Sequence, residues 1–331
     1  MDLSTTYLGL KLPHPFMPGA SPLVNELDMV KRLEDAGAAA IVMNSLFEEQ
    51  IRREQLRAYM ETDFGGESRL DAVYYAPRRE CFARGPEEYL EHLARIKSAV
   101  AVPVVGSLNG TTLGGWLEYA KAIEHAGADA LELNVYALPT ELDVSGQAIE
   151  DRTIEMVRAV RAQIRIPLAV KLSPFYTAPI HFARRLTESG ADGLVLFNRF
   201  YQPDVNPDSL GAQPHLDLST AAELPLRLHW LALLSGRVHG SLIATGGVTG
   251  AVDALKALMC GAHAVQLVSA LVRHGPEYLA RVRRDATTWM EEHGYESIQE
   301  LRGSMNLTEC PDMAAYERAH YMLTLQSLNA H

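Results

Sequence analysis

Hydrophobic residues in this chain fall into short continuous runs that alternate with amphipathic helical segments. Four segments share a small residue, Gly, Ala and then an apolar run: AGAAAIVMNS (36–45), AGADALELNV (126–135), SGADGLVLFN (189–198) and CGAHAVQLVS (260–269). A helical pattern such as LEYAKAIEHAG ends at the glycine, which tolerates the left-handed backbone that closes a helix. The pattern predicts a helix, a turn and a buried strand at each of the four places.

Two further segments pass from a helix into a strand through a proline. They are IKSAVAVPVVGSLN (96–109) and VRAQIRIPLAVKLS (160–173). Proline is acceptable where a strand begins, because its missing N–H lies outside the ladder. With HPFMPGAS (14–21) and SLIATGG (241–247) added, eight strands are predicted, at about residues 16–20, 39–44, 103–107, 130–135, 167–172, 193–198, 241–245 and 263–268.

Near-continuous apolar strands separated by helices indicate a parallel sheet that is covered on both faces. Eight such units favour closure into a (β/α)₈ TIM barrel, and a doubly wound open sheet is the alternative. We predict one domain over residues 1–331, with a helical tail at 294–331 that packs on the outside. The connections at 46–86 and 199–221, after strands two and six, are long enough to be functional loops.

Composition narrows the classes of function. The chain of 331 residues carries a net charge of −11 and no run of Lys or Arg longer than two, which disfavours nucleic-acid binding. It contains no long uncharged apolar stretch and no signal-peptide pattern, so no membrane span is expected. Its three cysteines lack metal-ligand spacing, which favours reduced thiols and a cytoplasmic location.

Polar residues stand at the end of nearly every predicted strand, which is the face where barrel active sites lie. These residues are Ala20 with Ser21, Asn44 with Ser45, Ser107 with Asn109, Asn134, Lys171 with Ser173, Asn198, Thr245 with Gly246 and Gly247, and Ser269. Each one alone is equally well explained as a capped strand end. Together they favour a site for a polar ligand.

The segment ATGGVTGAVDAL (244–255) has paired glycines between a strand and a helix. Glycines let the backbone approach a phosphate, and the N–H groups of the turn and the helix dipole favour the anion. A tight turn without a ligand is the alternative. Neither a Walker loop nor a Rossmann glycine pattern occurs in the chain.

Lys171 ends the otherwise apolar strand PLAVKLS and is expected to project into the barrel mouth. A lysine there can hold a phosphate, form a Schiff base or stabilise charge on a reduced flavin, or it can simply reach the solvent at the rim. Asn134 and Asn198 offer amide donors and acceptors to a planar heterocycle.

These motifs resemble the dihydroorotate dehydrogenases, most closely the class 1 branch, over nearly the whole chain. The resemblance is carried by PFMPGAS, LELNVYALP (131–139), LAVKLSPFY (168–176), the run from IATGGVTG to HGPEYL (243–279) and GYESIQELRG (294–303). It implies an FMN enzyme of pyrimidine biosynthesis with the cofactor across the strand ends, commonly a homodimer or joined to an electron-transfer partner.

The resemblance also implies roles for individual residues. Lys171 would contact the flavin near its N1/O2 edge, and Asn134 and Asn198 would contact the flavin or the substrate. Gly246, Gly247 and Ser269 would hold the phosphate. The flavin pocket would be lined by Ala20, Ser21, Asn44, Ser45 and Ser107.

The substrate side departs from the family pattern. The position of the family's cysteine base is Ala137, and the family's lysine after strand two aligns with Met43. Tyr136 is one candidate for a replacement proton carrier, although a tyrosine is a poor base unless a cation lowers its pKa. Glu61, Asp63, Glu67 and Asp71 in the 46–86 loop are the other candidates, and a solvated loop is the alternative explanation of these carboxylates.

Four functions remain open. The chain is an FMN oxidoreductase that oxidises dihydroorotate, an FMN oxidoreductase with another planar cyclic substrate, a flavin-binding protein without turnover, or an aldolase that uses Lys171 as a Schiff base. The spectrum of the purified protein distinguishes the first three from the last.

Overall fold

A computed structural model describes residues 1–51, 85–110, 116–136, 139–199, 204–208, 211–213 and 217–327. Its strands are β1 (Thr5–Tyr7), β2 (Leu10–Leu12), β3 (Phe16–Pro18), β4 (Ile41–Val42), β5 (Leu46–Phe47), β6 (Val104–Gly110), β7 (Ala130–Val135), β8 (Leu168–Leu172), β9 (Gly193–Leu196), β10 (Asp204–Asn206), β11 (Gly211–Gln213), β12 (Ser241–Thr245) and β13 (Ala264–Leu267).

Helices lie between the strands of the sheet. They are α1 (Leu27–Asp35), α2 (Pro86–Ala99), α3 (Trp116–His125), α4 (Gly146–Arg161), α5 (Pro179–Glu188), α6 (Leu224–Leu234), α7 (Ala251–Met259), α8 (Ser269–His274), α9 (Tyr278–Glu292), α10 (Ile298–Leu301) and α11 (Met313–Ser327), with short 3-10 turns at Pro22–Val24 and Ala221–Glu223.

The main sheet is a parallel barrel. Its strand order is β3-β13-β12-β9-β8-β7-β6-β4, with β5 continuing the edge beside β6. The N–H of Ala39 donates to the carbonyl of Phe16 (3.1 Å), which joins the region before β4 to β3 and closes the ring. All eight predicted strands are therefore confirmed, and the (β/α)₈ TIM barrel is the fold.

The four predicted helix-ending glycines adopt left-handed backbone. Gly37, Gly127, Gly190 and Gly261 have φ values of +85°, +96°, +108° and +109°. A residue with a Cβ is strained in this region, so glycine lets each helix stop and the chain turn directly into its strand. The two proline entries are confirmed as well, because Pro103 and Pro167 immediately precede β6 and β8.

The barrel has its own apolar core, separate from the layer between strands and helices. Each barrel strand contributes one buried residue to it: Met17, Val42, Val105, Ala130, Ala169, Val195, Ile243 and Ala264. The β1–β2 hairpin adds Tyr7, Leu8 and Leu12. The N–H of Leu8 donates to Ser241 Oγ (2.9 Å) where β12 begins, so the hairpin plugs the N-terminal end of the barrel.

The C-terminal tail is helical, as predicted, but its two parts pack differently. Ile298 and Leu301 of α10 are buried, whereas α11 buries no side chain. No helix in the described part of the chain is long and apolar enough to cross a membrane.

Candidate functional site

A layer of polar residues lies directly above the apolar core of the barrel. Side chains two positions apart on a strand share a face, so the residue two after each core residue also points inward. This rule leads from Ala130 to Glu132, from Ala169 to Lys171 and from Ala264 to Gln266. All three are buried, with Glu132 and Gln266 completely inaccessible. The predicted inward position of Lys171 agrees with this geometry.

Glu132 joins these groups into one network. Lys171 Nζ donates to Glu132 Oε1 at 3.3 Å, and Gln266 Nε2 donates to Glu132 Oε2 at 2.8 Å. Sequence analysis missed both Glu132 and Gln266. The signal was present, because a charged or amide residue inside an apolar strand such as ALELNV or AVQLV needs a partner to be buried. The partner itself is not readable from the sequence.

Burial and the nearby carboxylate of Glu132 raise the pKa values of two tyrosine hydroxyls. Burial, reinforced by the negative charge of Glu132, raises the pKa of Tyr7 well above its usual value. Burial likewise raises the pKa of Tyr89, whose hydroxyl donates to the carbonyl of Ser107 (3.1 Å) and accepts from its N–H (3.0 Å). Tyr89 therefore fixes the main chain of β6 at the site.

Asn134 and Asn198 meet above the network, as expected for residues at the ends of β7 and β9. Asn198 Nδ2 donates to Asn134 Oδ1 at 2.8 Å. Among the described residues, Asn134 Nδ2 and Asn198 Oδ1 have no further partner. One donor group and one acceptor oxygen are thus available side by side for a ligand.

The hydroxyls of Ser45 and Ser107 are also brought together, 2.8 Å apart. Ser21 Oγ and Asn44 Oδ1 are buried and have no hydrogen-bond partner among the described residues. Buried polar atoms are nearly always satisfied, so these two atoms are suited to contact a polar ligand. Ala20 lies beside them in the chain and is partly exposed.

Met43 does not face the site. It is completely buried in the core between the barrel and its helices, whereas Val42 belongs to the barrel interior. Alternation along the strand places Asn44 on the side of the interior. The inward position after strand two is therefore an asparagine, not the methionine that the resemblance aligned with the family's lysine.

The paired glycines form the predicted turn with left-handed backbone, with φ of +83° at Gly246 and +78° at Gly247. A Cβ on Gly247 would lie 2.5 Å from the N atom of Leu224, and one on Gly246 would lie 3.0 Å from Arg227 Nη2. The start of α6 thus packs directly on the turn. This packing alone requires both glycines, so the tight-turn interpretation is supported whether or not a phosphate binds.

Two sets of hydrogen bonds near the glycine turn determine which groups there can bind an anion. Asp253 Oδ2 accepts hydrogen bonds from the N–H and the hydroxyl of Thr249 (2.9 and 2.5 Å), so the start of α7 already carries its own carboxylate. Ser269 Oγ accepts from the N–H and the hydroxyl of Ser219, both at 2.9 Å. The hydroxyl hydrogen of Ser269 remains available to donate.

A basic cluster that sequence analysis missed lies against the glycine turn. The buried side chain of Arg227 donates through Nε to the carbonyl of Thr245 (3.2 Å). Glu223 lies 3.6 Å from Arg227 Nη2 and 3.6 Å from Arg199 Nη2. Among the described residues these two arginines share one carboxylate, which leaves net positive charge beside Gly246. Arg199 directly follows the predicted site residue Asn198. Its position in the sequence was the signal that could have revealed this basic cluster.

Of the predicted replacements for the base, the structure describes only Tyr136. Tyr136 follows β7 directly and is partly exposed. Ala137, Glu61, Asp63, Glu67 and Asp71 lie outside the described residues. Within the described residues no group of His, Cys, Asp and Glu is arranged to hold a metal ion.

The family model described as dihydroorotate dehydrogenase matches residues 82–290. The chain belongs to the dihydroorotate dehydrogenase family. The matched segment contains β6 through β13, and with them Glu132, Lys171 and Gln266.

Three known proteins are similar to the chain at low identity. The catalytic subunit of dihydroorotate dehydrogenase B (NAD⁺) of Thermoplasma volcanium is 27% identical over 312 residues, which cover 91% of this chain and 98% of that protein. The NAD-dependent dihydropyrimidine dehydrogenase subunit PreA of Escherichia coli is 24% identical, covering 92% and 77%. The chloroplastic dihydropyrimidine dehydrogenase (NADP⁺) of Arabidopsis thaliana is 24% identical, covering 91% and 76%. The relatives thus bear the names of two different activities.

Proposed function

We propose that this protein is an FMN-dependent oxidoreductase that dehydrogenates a CH–CH bond of a planar cyclic substrate. The observation that carries the proposal is the buried Lys171–Glu132 pair beneath the Asn134–Asn198 amide pair at the mouth of the barrel. A fixed ammonium beside a donor–acceptor edge suits an electron-accepting heterocycle that becomes anionic when reduced. Family membership supports the same cofactor.

The residues present fit the isoalloxazine of FMN. The orphaned Ser21 Oγ and Asn44 Oδ1, with the Ser45–Ser107 pair, supply polar contacts on one side of the site. FMN, when bound, would supply the hydride acceptor. Lys171 would stabilise negative charge at the N1/O2 edge of the ring, and Glu132 and Gln266 would hold the ammonium in place.

The glycine turn is the place that we propose for the phosphate of the cofactor. We propose that Gly246, Gly247 and the free hydroxyl hydrogen of Ser269 contact it, as the sequence predicts. Arg273 helps to position Ser269 indirectly, through Ser219. Arg273 Nη1 donates to the carbonyl of Ser219 (2.9 Å), and the hydroxyl of Ser219 donates to Ser269 Oγ. The surplus positive charge of Arg199 and Arg227 favours an anion in the same place.

Dihydroorotate is the first substrate to test, although one feature of the sequence favours a different substrate. Ala137 stands where the family has a cysteine base, and an alanine cannot remove a proton. The loss of a general base costs roughly 10²–10⁴-fold in rate. We propose Tyr136 as the group that moves the proton here. A related cyclic ureide or imide, as the names of the dihydropyrimidine dehydrogenase relatives suggest, is the second candidate substrate.

The deciding experiment is the visible spectrum of the purified protein. We expect a flavin spectrum, or its appearance when FMN is added to colourless protein, and bleaching under anaerobic conditions when a substrate is added. A protein that stays colourless and rejects FMN overturns the proposal. Bound FMN that no cyclic ureide or imide reduces would instead favour a flavin-binding protein without turnover.

Two variants separate loss of the base from loss of the substrate pocket. If dihydroorotate bleaches Ala137→Cys but neither the parent protein nor the control Ala137→Val, only the base has been lost. If all three ignore dihydroorotate, the substrate is a different one. The Schiff-base alternative predicts trapping of Lys171 by borohydride in the presence of a carbonyl compound. That alternative also predicts a protein that is colourless and rejects added FMN.

The relatives that are named as subunits suggest an assembly as well. We propose that this chain works as a homodimer or with an electron-transfer partner that reoxidises the flavin. The mass of the purified complex, measured by light scattering, tests this proposal. A monomer that turns over with a soluble acceptor at the full rate contradicts it.

A further inference from the structure

A cavity lies at the end of the barrel opposite Lys171. Its volume is about 480 Å³. It is lined by residues that immediately precede or begin strands, including Asp192 before β9, Ser241 at the start of β12 and His263 before β13. Lys171 is the fourth residue of the five-residue strand β8. The cavity is therefore separated from the candidate active site by the apolar core of the barrel.

Arg302 supplies the positive charge of this cavity. It follows α10 directly and its side chain is partly buried. Its guanidinium makes no ion pair with any carboxylate of the described residues. Burial lowers the pKa of Arg302, yet a guanidinium stays charged at neutral pH. An arginine that loses hydration without gaining a counter-ion is destabilised, and binding an anion from solution removes that cost.

His263 lines the same cavity as a neutral hydrogen-bond donor. Its Nδ1 accepts the N–H of Leu242 at 3.1 Å, so the ring hydrogen resides on Nε2. Burial, followed by the positive charge of Arg302, lowers the pKa of His263 to about 4. The carbonyl of His263 accepts the hydroxyl of Thr5 (2.8 Å), which ties the residue to the N-terminal hairpin.

Ser241 and Asp192 also line the cavity, and the structure shows their hydrogen bonds. Ser241 Oγ accepts the N–H of Leu8, so its own hydrogen is free to donate. Asp192 is the carboxylate of the lining, but its Oδ2 already binds Arg161 Nη1 (3.1 Å) and the N–H of Leu168 (2.8 Å). Its charge is thereby compensated within the protein. Ser241 therefore offers a donor to a ligand, and Arg302 and His263 offer the others named above.

We propose that this cavity is a second ligand site, which binds a small organic oxyanion through the guanidinium of Arg302 and the Nε2–H of His263. The volume falls within the roughly 300–1,000 Å³ typical of small-molecule sites and exceeds what inorganic phosphate alone requires. The ligand therefore carries an organic body on its phosphate or carboxylate group. The site does not depend on the function proposed for the other end of the barrel.

The test is a titration of the full-length protein with inorganic phosphate, at ionic strength held constant with chloride. The readout is the NMR signal of the His263 ring, assigned by its disappearance in His263→Gln. This signal reports the cavity even if phosphate also binds at the glycine turn. We expect a saturable shift. In Arg302→Gln the apparent Kd should rise about 10- to 100-fold, the usual effect of losing a hydrogen bond to a charged group.

Arg318→Gln is the matched control, because it removes the same charge from an exposed position on α11 and should leave the Kd unchanged. If Arg302→Gln does not fold, Arg302→Lys replaces it. A lysine keeps the charge but loses the planar fork, so binding should weaken to a smaller extent. A shift that never saturates, or equal binding by the Arg302 and Arg318 variants, overturns the site.

Discussion

The ammonium of Lys171 lies 3.3 Å from the carboxylate of Glu132, and neither side chain reaches the solvent appreciably. Removing one partner leaves the other charge buried and uncompensated, at a cost of about 3–5 kcal/mol. The two residues should therefore behave as a unit in which the pair, rather than either member, determines stability.

A double-mutant cycle measures this coupling. Lys171→Met should lower the free energy of unfolding by about 3–5 kcal/mol. Adding Glu132→Gln should restore part of that loss, on the order of 2 kcal/mol, because the orphaned charge is removed. Urea denaturation of the parent, both single variants and the double variant supplies the four values. Additive losses would show that the two side chains do not interact.

Tyr89 should be a structural tyrosine whose hydroxyl holds β6. Tyr89→Phe removes the group that bonds both the N–H and the carbonyl of Ser107. We expect a loss of roughly 2–3 kcal/mol in the free energy of unfolding, since two buried main-chain groups lose their partner. Tyr316→Phe on the exposed helix α11 is the control and should change stability by less than about 0.5 kcal/mol. Equal effects of the two variants would contradict the assignment.

The glycine turn offers a test with a built-in control. Gly247 and Gly294 have nearly the same φ, +78° and +76°. A Cβ meets the N atom of Leu224 at 2.5 Å from Gly247 but has nothing within 4 Å at Gly294. Gly294→Ala should cost only the roughly 1–2 kcal/mol of left-handed strain.

Gly247→Ala should cost clearly more, because α6 must move, and it should also weaken binding of FMN. Thermal unfolding with and without added FMN measures both effects. If Gly247→Ala unfolds at the same temperature as Gly294→Ala, the close packing of α6 on the turn is wrong.

Stability should fall on mild acidification. Burial, with the charge of Arg283 adding to it, lowers the pKa of His14 to about 4. A histidine in the unfolded chain titrates near 6.5, so between these two values the unfolded state binds more protons than the folded state. The contribution of His14 to the free energy of unfolding is therefore constant above about pH 6.5 and decreases as the pH falls toward 4, by up to about 1.4 kcal/mol per pH unit.

His263 has the same depressed pKa and contributes a second increment. In His14→Gln the slope between pH 6.5 and 4 should drop by the share of one histidine, whereas His320→Gln, on the exposed helix α11, should leave it unchanged. Urea denaturation across this pH range measures the slopes. An unchanged slope in His14→Gln would exclude burial of His14 as its cause.

The order of strands and helices in the barrel was predictable because each helix end and strand start depends on residues that are neighbours in the sequence. The Gly-Ala repeats and the two Val-Pro or Ile-Pro entries identify helix ends and strand starts from neighbouring residues alone. The positive φ values of Gly37, Gly127, Gly190 and Gly261 confirm that reading. The inward position of Lys171 also followed from local alternation, since a strand has only two faces.

Relationships between distant residues were not predictable in this way. Glu132 and Gln266 are separated by 134 positions and meet only because the barrel closes. The same holds for Ser219 on Ser269 and for Arg227 on the glycine turn. Met43 and Asn44 show the limit most directly, because a shift of one residue in strand phase decides which side chain faces the site.

The sequence by itself determined the number and order of strands and helices, and which strand ends carry polar groups, because propensity and periodicity act over a few residues. Only the tertiary structure decided which of those groups become partners, which buried atoms remain unsatisfied, and that Arg302 and His263 share a cavity at the far end. Such outcomes depend on the distances that barrel closure imposes between segments far apart in the chain.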